Sequence, residues 1–179
     1  MATALATTAS LPDILGPGLE VVFCGLNPGM AAAAAGHHFL GRGNRFWSVL
    51  HQAGFTPFQL APQEDCRVLD YDIGLTAMVA RPTARATQVM REEYAGAVPA
   101  LLQKLDHYQP HCIAFLGKAA YQAIVDQREI DWGEQPQHLG TVRVWVLPNP
   151  SGLNRGFSTA QLVDAYAALR TALSAPPRR

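Results

Sequence analysis

Four short apolar runs punctuate the chain, at residues 20–24, 73–79, 112–116 and 141–147. Runs of this length, rich in β-branched and aromatic residues, are expected as buried strands, with Gly74 breaking the second. Between them the apolar period changes to that of a helix. Phe46, Leu50 and Ala53 follow Asn44, which suits an N-cap, and Gly54 suits the position just past the helix end. Pro62, with Gln63, Glu64 and Asp65 behind it, predicts a shorter helix whose acids sit at the positive end of its dipole. Tyr94, Val98, Leu101, Leu102, Leu105 and Tyr108 form another stripe, in which Pro99 predicts a kink or restart. Residues 118–126 predict a further short helix. Ser158-Thr159-Ala160-Gln161 is a capping-box pattern ahead of a face made by Leu162, Tyr166, Leu169 and Leu173. The alanines at 31–35 favour helix, but the glycines after them predict a shaped loop across 30–43, and 128–140 reads as a polar connection. Strands alternating with helices imply an α/β fold, a three-layer α/β/α sandwich around a short, mainly parallel sheet. One domain is expected over 11–174, between a flexible tail at 1–10 and a second tail at 175–179.

Two strand ends share a chemistry. The first apolar run exits through Gly25-Leu26-Asn27-Pro28-Gly29, and the last through Pro148-Asn149-Pro150-Ser151-Gly152. The residue before a proline is held extended, so each turn fixes a short amide side chain at a strand end. Parallel strands would bring both turns to one crevice, where open α/β sheets bind ligands.

Composition narrows the class. Apolar residues make up 49% of the 179 residues and charged ones 16%, which argues for a packed core and against disorder. The formal net charge is zero, so any nucleic-acid contact must come from a local patch. Cys24, Cys66 and Cys112 are odd in number and far apart, which argues against a disulfide framework, a zinc site or an iron–sulfur cluster. No metal and no cofactor are expected. No apolar run approaches the length of a membrane span, and residues 1–10 lack the features of a signal peptide, so a cytoplasmic location is expected.

Other motifs are weaker. Gly117-Lys118 after a strand lacks the upstream glycine of a phosphate loop. Gly41-Arg42-Gly43 with Arg45 suits either anion contact or plain loop geometry. His37-His38 lacks a third metal ligand nearby, leaving a polar active-site loop or an ordinary loop. Trp47, Trp132 and Trp145 are expected as core or semi-buried residues. Phe39 lies in the polar loop, where an aromatic facing the crevice can stack on a flat ring. Neither Asn-Pro turn carries paired carboxylates, so an enzyme built here would work with neutral amides and backbone groups, unlike most hydrolases.

Gly25-Leu26-Asn27-Pro28-Gly29, then Gly36-His37-His38-Phe39 through Asn44-Arg45-Phe46-Trp47, then Asn149-Pro150-Ser151-Gly152-Leu153-Asn154-Arg155 together resemble the mismatch-specific uracil-DNA glycosylases, bacterial relatives of thymine-DNA glycosylase. The resemblance extends over about residues 11–173. It implies base flipping from double-stranded DNA and hydrolysis of the N-glycosidic bond by a monomer. It also implies that Asn27 positions the attacking water and that Phe39 stacks on the extruded base. Leu26, Gly29, His38 and Asn149 would complete the pocket, with Gly29 in place of a tyrosine that excludes 5-methyl groups in strict uracil enzymes. Leu153 would fill the vacated space, Gly152 and Arg155 would touch the widowed guanine, and Arg42 and Arg45 would contact phosphates.

Some positions depart from the family pattern. Asn154 replaces the usual serine of the wedge segment, Ala32 replaces a serine of the bacterial type, and Ala77 stands where relatives carry lysine or asparagine. The histidine pair resembles the thymine-DNA glycosylase branch, the wedge segment the bacterial one. Two other classes remain open: a mismatch-binding module without catalysis, and a nucleotide- or phosphate-binding α/β enzyme unrelated to DNA.

Overall fold

Residues 10–175 are described by a computed structural model, so both expected tails lie outside the described residues except for Ser10 and Ala175. Strands β1 (Val21–Gly25), β2 (Ile73–Ala77), β3 (Cys112–Leu116), β4 (Gly133–Glu134) and β5 (Arg143–Leu147) form one sheet. Their order is β2-β1-β3-β5-β4. The first four of that order run parallel, with Val21 opposite both Ile73 and Cys112, and Ile113 opposite Val144. Two-residue β4 pairs antiparallel with β5 at the edge. It lies in the segment expected as a polar connection, and two residues are too few to show a period.

Strand side chains alternate between two cores, as the pleat requires. Val21, Phe23, Leu75, Ala114 and Leu147 face helices α2 (Phe46–Gln52) and α5 (Thr159–Ser174) and the 3-10 helix Pro62–Tyr71. Cys24, Ile113, Phe115, Val144 and Val146 face α3 (Arg91–Tyr108) and α4 (Lys118–Val125). This is the expected three-layer arrangement. Burial pushes the free thiols of Cys24 and Cys112 up to about 12, while Cys66 is exposed.

Four local expectations change. The alanine run does form a helix, α1 (Met30–Ala35), because Gly36 adopts a left-handed conformation (φ 73°) and returns its N–H to the Ala32 carbonyl. The segment opened by Pro62 is 3-10 rather than α. Gly74 does not break β2. A Cβ there would stand 2.7 Å from Leu19 Cδ1 and 3.1 Å from the Ile14 carbonyl, so the glycine lets the lead-in segment pack on the sheet edge. Ile14 pairs there with Leu75 through two 2.8 Å backbone bonds. Finally, α3 runs unbroken through Pro99. Pro99 and Ala95, whose carbonyl loses its partner, both lie on the exposed face, where water can replace the missing bond.

Other signals hold. Ser158 Oγ accepts from the Gln161 N–H, and Gln161 Oε1 accepts from the Ser158 N–H. Leu162, Tyr166 and Leu169 are fully buried. No described helix is long and apolar enough to cross a membrane. Because Pro99 interrupts an exposed helical ladder, Pro99→Ala is expected to stabilise the protein by about 1–3 kcal/mol, read as a rise in the denaturant midpoint at constant slope.

Candidate active site

The parallel register carries β1, β3 and β5 to the same edge of the sheet. Both Asn-Pro turns therefore open into one crevice of about 390 Å³, walled by Asn27, Phe39, Ala77, Thr83 and Asn149. No carboxylate is among its lining residues.

The Asn27 amide is held one way round. Its Nδ2 lies 2.9 Å from the Arg81 carbonyl, 2.7 Å from Thr83 Oγ1 and 3.3 Å from the Pro28 carbonyl. A carbonyl can only accept, so the group facing it must be the amino group. Thr83 in turn donates its hydroxyl to the Arg85 carbonyl at 2.8 Å, leaving a lone pair for Asn27. Asn27 Oδ1 has no partner among the described residues and remains an open acceptor. The 81–83 segment is itself anchored. The Thr83 N–H donates to the Pro28 carbonyl, and the Arg81 guanidinium grips Glu93 through Nε and Nη2 at 2.7 and 2.8 Å. Arg81 and the Met90 N–H pull the Glu93 carboxyl down to about 2. Thr83 meets Asn27 across 56 residues of chain, and no local pattern announces that contact.

Phe39 forms the facing wall. It adopts a left-handed backbone (φ 56°), rare for an aromatic residue. Its ring stacks on Phe46 at 3.9 Å and 22°, and Phe46 stands edge-on to Phe23 of β1. The pocket aromatic is thus continuous with the core. Its backbone N–H has no partner among the described residues. His38 is only 3% exposed. Its N–H donates to Asp65 Oδ2, its carbonyl accepts from Trp47 Nε1, and its Nε2 donates to the Pro12 carbonyl at 2.7 Å. Burial lowers its pKa, which favours the neutral ring. These bonds make His38 a fixed support for the Phe39 turn.

The second turn is capped internally. Asn149 Oδ1 accepts from the Ser151 N–H, which leaves its amino group free to donate into the crevice. Asn154, the departure from serine, bridges back to the Asn149 carbonyl at 2.9 Å and accepts from the Gly156 N–H. Leu153 stands at the loop tip, 67% exposed. Gly152 has a packing role of its own. A Cβ there would lie 2.7 Å from the Gly43 carbonyl oxygen, so the two loops touch backbone to backbone. Arg42 and Arg155 are exposed and without partners among the described residues.

Arg45 departs from expectation. Its guanidinium does not point out toward a phosphate; it donates to the carbonyls of Phe157 and Asn154, both at 2.9 Å, and to Ser151 at 3.4 Å. An adjacent glycine-rich loop made it look like an anion contact, yet the nearest unsatisfied oxygens are those of the second turn. Trp47 and Trp145 are buried, whereas Trp132 is half exposed, edge-on to Phe157 and under the Lys118 ammonium.

Among the described residues, no group of three or more His, Cys, Asp or Glu stands close enough to hold a metal ion. What the crevice offers is an oriented acceptor, free amide and backbone donors, and an aromatic wall anchored in the core.

The fold is similar to a solution NMR structure of a candidate uracil DNA glycosylase from Methanosarcina acetivorans, at 21% identity and a TM-score of 0.59, covering 91% of this chain and 98% of that one. The model of the uracil DNA glycosylase superfamily matches residues 12–170, nearly the whole chain. With both turns, the crevice and this match in place, the chain belongs to the uracil DNA glycosylase superfamily.

Proposed function

We propose that this DNA N-glycosylase belongs to the mismatch-specific branch and excises uracil, and bulkier bases such as thymine or ethenocytosine, opposite guanine in duplex DNA. The observation that carries the reading is the orientation of Asn27: its amino group is bound and its Oδ1 is open to the crevice. An acceptor so fixed orients a water by one of its protons and leaves the water's lone pair directed at the sugar. The water oxygen bonds to C1′ as the C1′–N1 bond breaks, and the bonding pair leaves with the base. An amide cannot take the water's proton, which passes to solvent, so the step is slow relative to carboxylate-assisted hydrolysis.

The rest of the catalysis falls on the leaving group. The free Asn149 amino group and the unpaired Phe39 N–H are donors suited to base carbonyls that gain negative charge. The Phe39 ring, braced on Phe46, supplies a stacking face. With no carboxylate lining the crevice, no formal negative charge there repels that developing charge. Base tolerance follows from two small residues. A Cβ on Gly29 would meet nothing within 4 Å, which leaves room beside it, and Ala77 gives an apolar wall. On the DNA side, Leu153 fills the vacated stack, Gly152 and Arg155 face the widowed guanine, and Arg42 contacts phosphate.

The test is single-turnover base release from single-lesion duplexes with guanine or adenine opposite. Release from G·U is expected to outpace A·U, and equal rates would overturn the mismatch assignment. On the G·U substrate, Asn27→Ala is expected to keep duplex binding but slow release by roughly 10²-fold or more. Unchanged kinetics would remove Asn27 from its role. Thr83→Val, which keeps the shape but not the hydroxyl acceptor, should slow release by about ten-fold, the scale of one orienting hydrogen bond. Gly29→Tyr is expected to abolish thymine and ethenocytosine release while uracil release survives; parallel loss of all three would refute this account of base tolerance.

A further inference from the structure

We infer that Arg45 is a positioning residue for the Leu153 loop, acting when the duplex is opened and not when the bond is broken. The inference rests on the glycosylase reading above. Three carbonyls of the loop, those of Ser151, Asn154 and Phe157, turn inward onto this one guanidinium, and a fourth, that of Pro150, accepts from the Arg45 N–H at 3.0 Å. Carbonyl dipoles converging in this way repel one another unless a cation lies between them. A planar fork with several donors holds them at fixed angles in a way that a point-like ammonium cannot.

The loop has other bonds, but these are internal. Asn149 and Asn154 shape the turn, and Ser151 Oγ accepts from the Leu153 N–H. None of those bonds fixes the turn against the body of the protein. Among the described residues, the ties that do so include the Arg45 bonds, the Tyr166 hydroxyl donating to the Pro148 carbonyl at 3.3 Å, the Gly43–Gly152 backbone contact and the edge-on packing of Phe157 against Trp132. The guanidinium is the charged member of that set and holds the 151–157 part of the loop, and its Nε is buried without a partner among the described residues. That buried donor is left unsatisfied while both terminal nitrogens serve the loop. Arg45 is not among the residues lining the crevice. Its donors therefore set where Leu153 stands and leave the Asn27 end of the site untouched. An insertion wedge needs that placement, because an apolar side chain fills a vacated stack only if its backbone is held against the push of the neighbouring bases.

Two substrates separate opening from chemistry: uracil in a G·U duplex, and the same uracil in an unpaired bubble, where little opening remains to be done. Single-turnover release is measured for Arg45→Met, Arg45→Lys, Leu153→Ala and the Arg45→Met/Leu153→Ala double variant, with thermal melting of each. Arg45→Met is expected to slow the duplex reaction by roughly ten-fold or more while the bubble reaction stays within about two-fold of wild type, and the double variant should be no slower than Leu153→Ala alone. Arg45→Lys keeps a cation in the same place and is expected to show the same duplex-selective loss in milder form. Equal losses on both substrates, or losses in the double variant that multiply, would overturn the inference in favour of a general stabilising role. Failure of the wild-type protein to release uracil from either substrate would instead defeat the glycosylase reading beneath it.

Discussion

The shared direction of β1, β3 and β5 is the constraint on which the site depends. Parallel strands finish at one edge, and each strand here finishes in a turn that exposes backbone or amide groups. Asn27 and Asn149 are separated by more than a hundred residues, yet both line the same crevice because the register leaves them no other place. The two cores keep that register: a one-residue slip of β1 would exchange Phe23 for Cys24 and bury each side chain in the wrong layer. The core thus secures the site indirectly, through register, and directly, through the Phe23–Phe46–Phe39 ring contacts.

The chemistry of the crevice is built from neutral groups made directional. An amide free in solution offers its two ends indifferently. Here the Arg81 carbonyl and the Thr83 hydroxyl claim one end of Asn27, and the Ser151 N–H claims the opposite end of Asn149. The result is one acceptor and one donor presented to the same space, with no ionisable carboxylate between them. Orientation of this kind requires no charge burial, so the site forgoes the desolvation cost that a buried general base would impose.

Much of this was legible in the chain, and what was not has physical reasons. Strand positions, the capping box at Ser158 and the two Asn-Pro turns are local signals, carried by residues a few positions apart. The helix at Met30–Ala35 was obscured because its terminating glycine looks the same, in sequence, as a loop glycine. Pro99 misled because a helix-breaking residue costs least where its orphaned carbonyl meets water. Thr83 carries no local signal and Arg45 a misleading one, for a deeper reason. The role of each is fixed by a partner far along the chain, and an arginine beside glycines has the same local appearance whether it faces a phosphate or the protein's own carbonyls.

The contact between Gly43 and Gly152 has a mechanical consequence. Two backbones in van der Waals contact, with no side chain between them to yield, transmit displacement almost rigidly. The loop that carries Arg42 and the loop that carries Leu153 are therefore geared together. Inward displacement of the Leu153 loop is carried directly to the Arg42 rim of the crevice, with no side chain between them to absorb it.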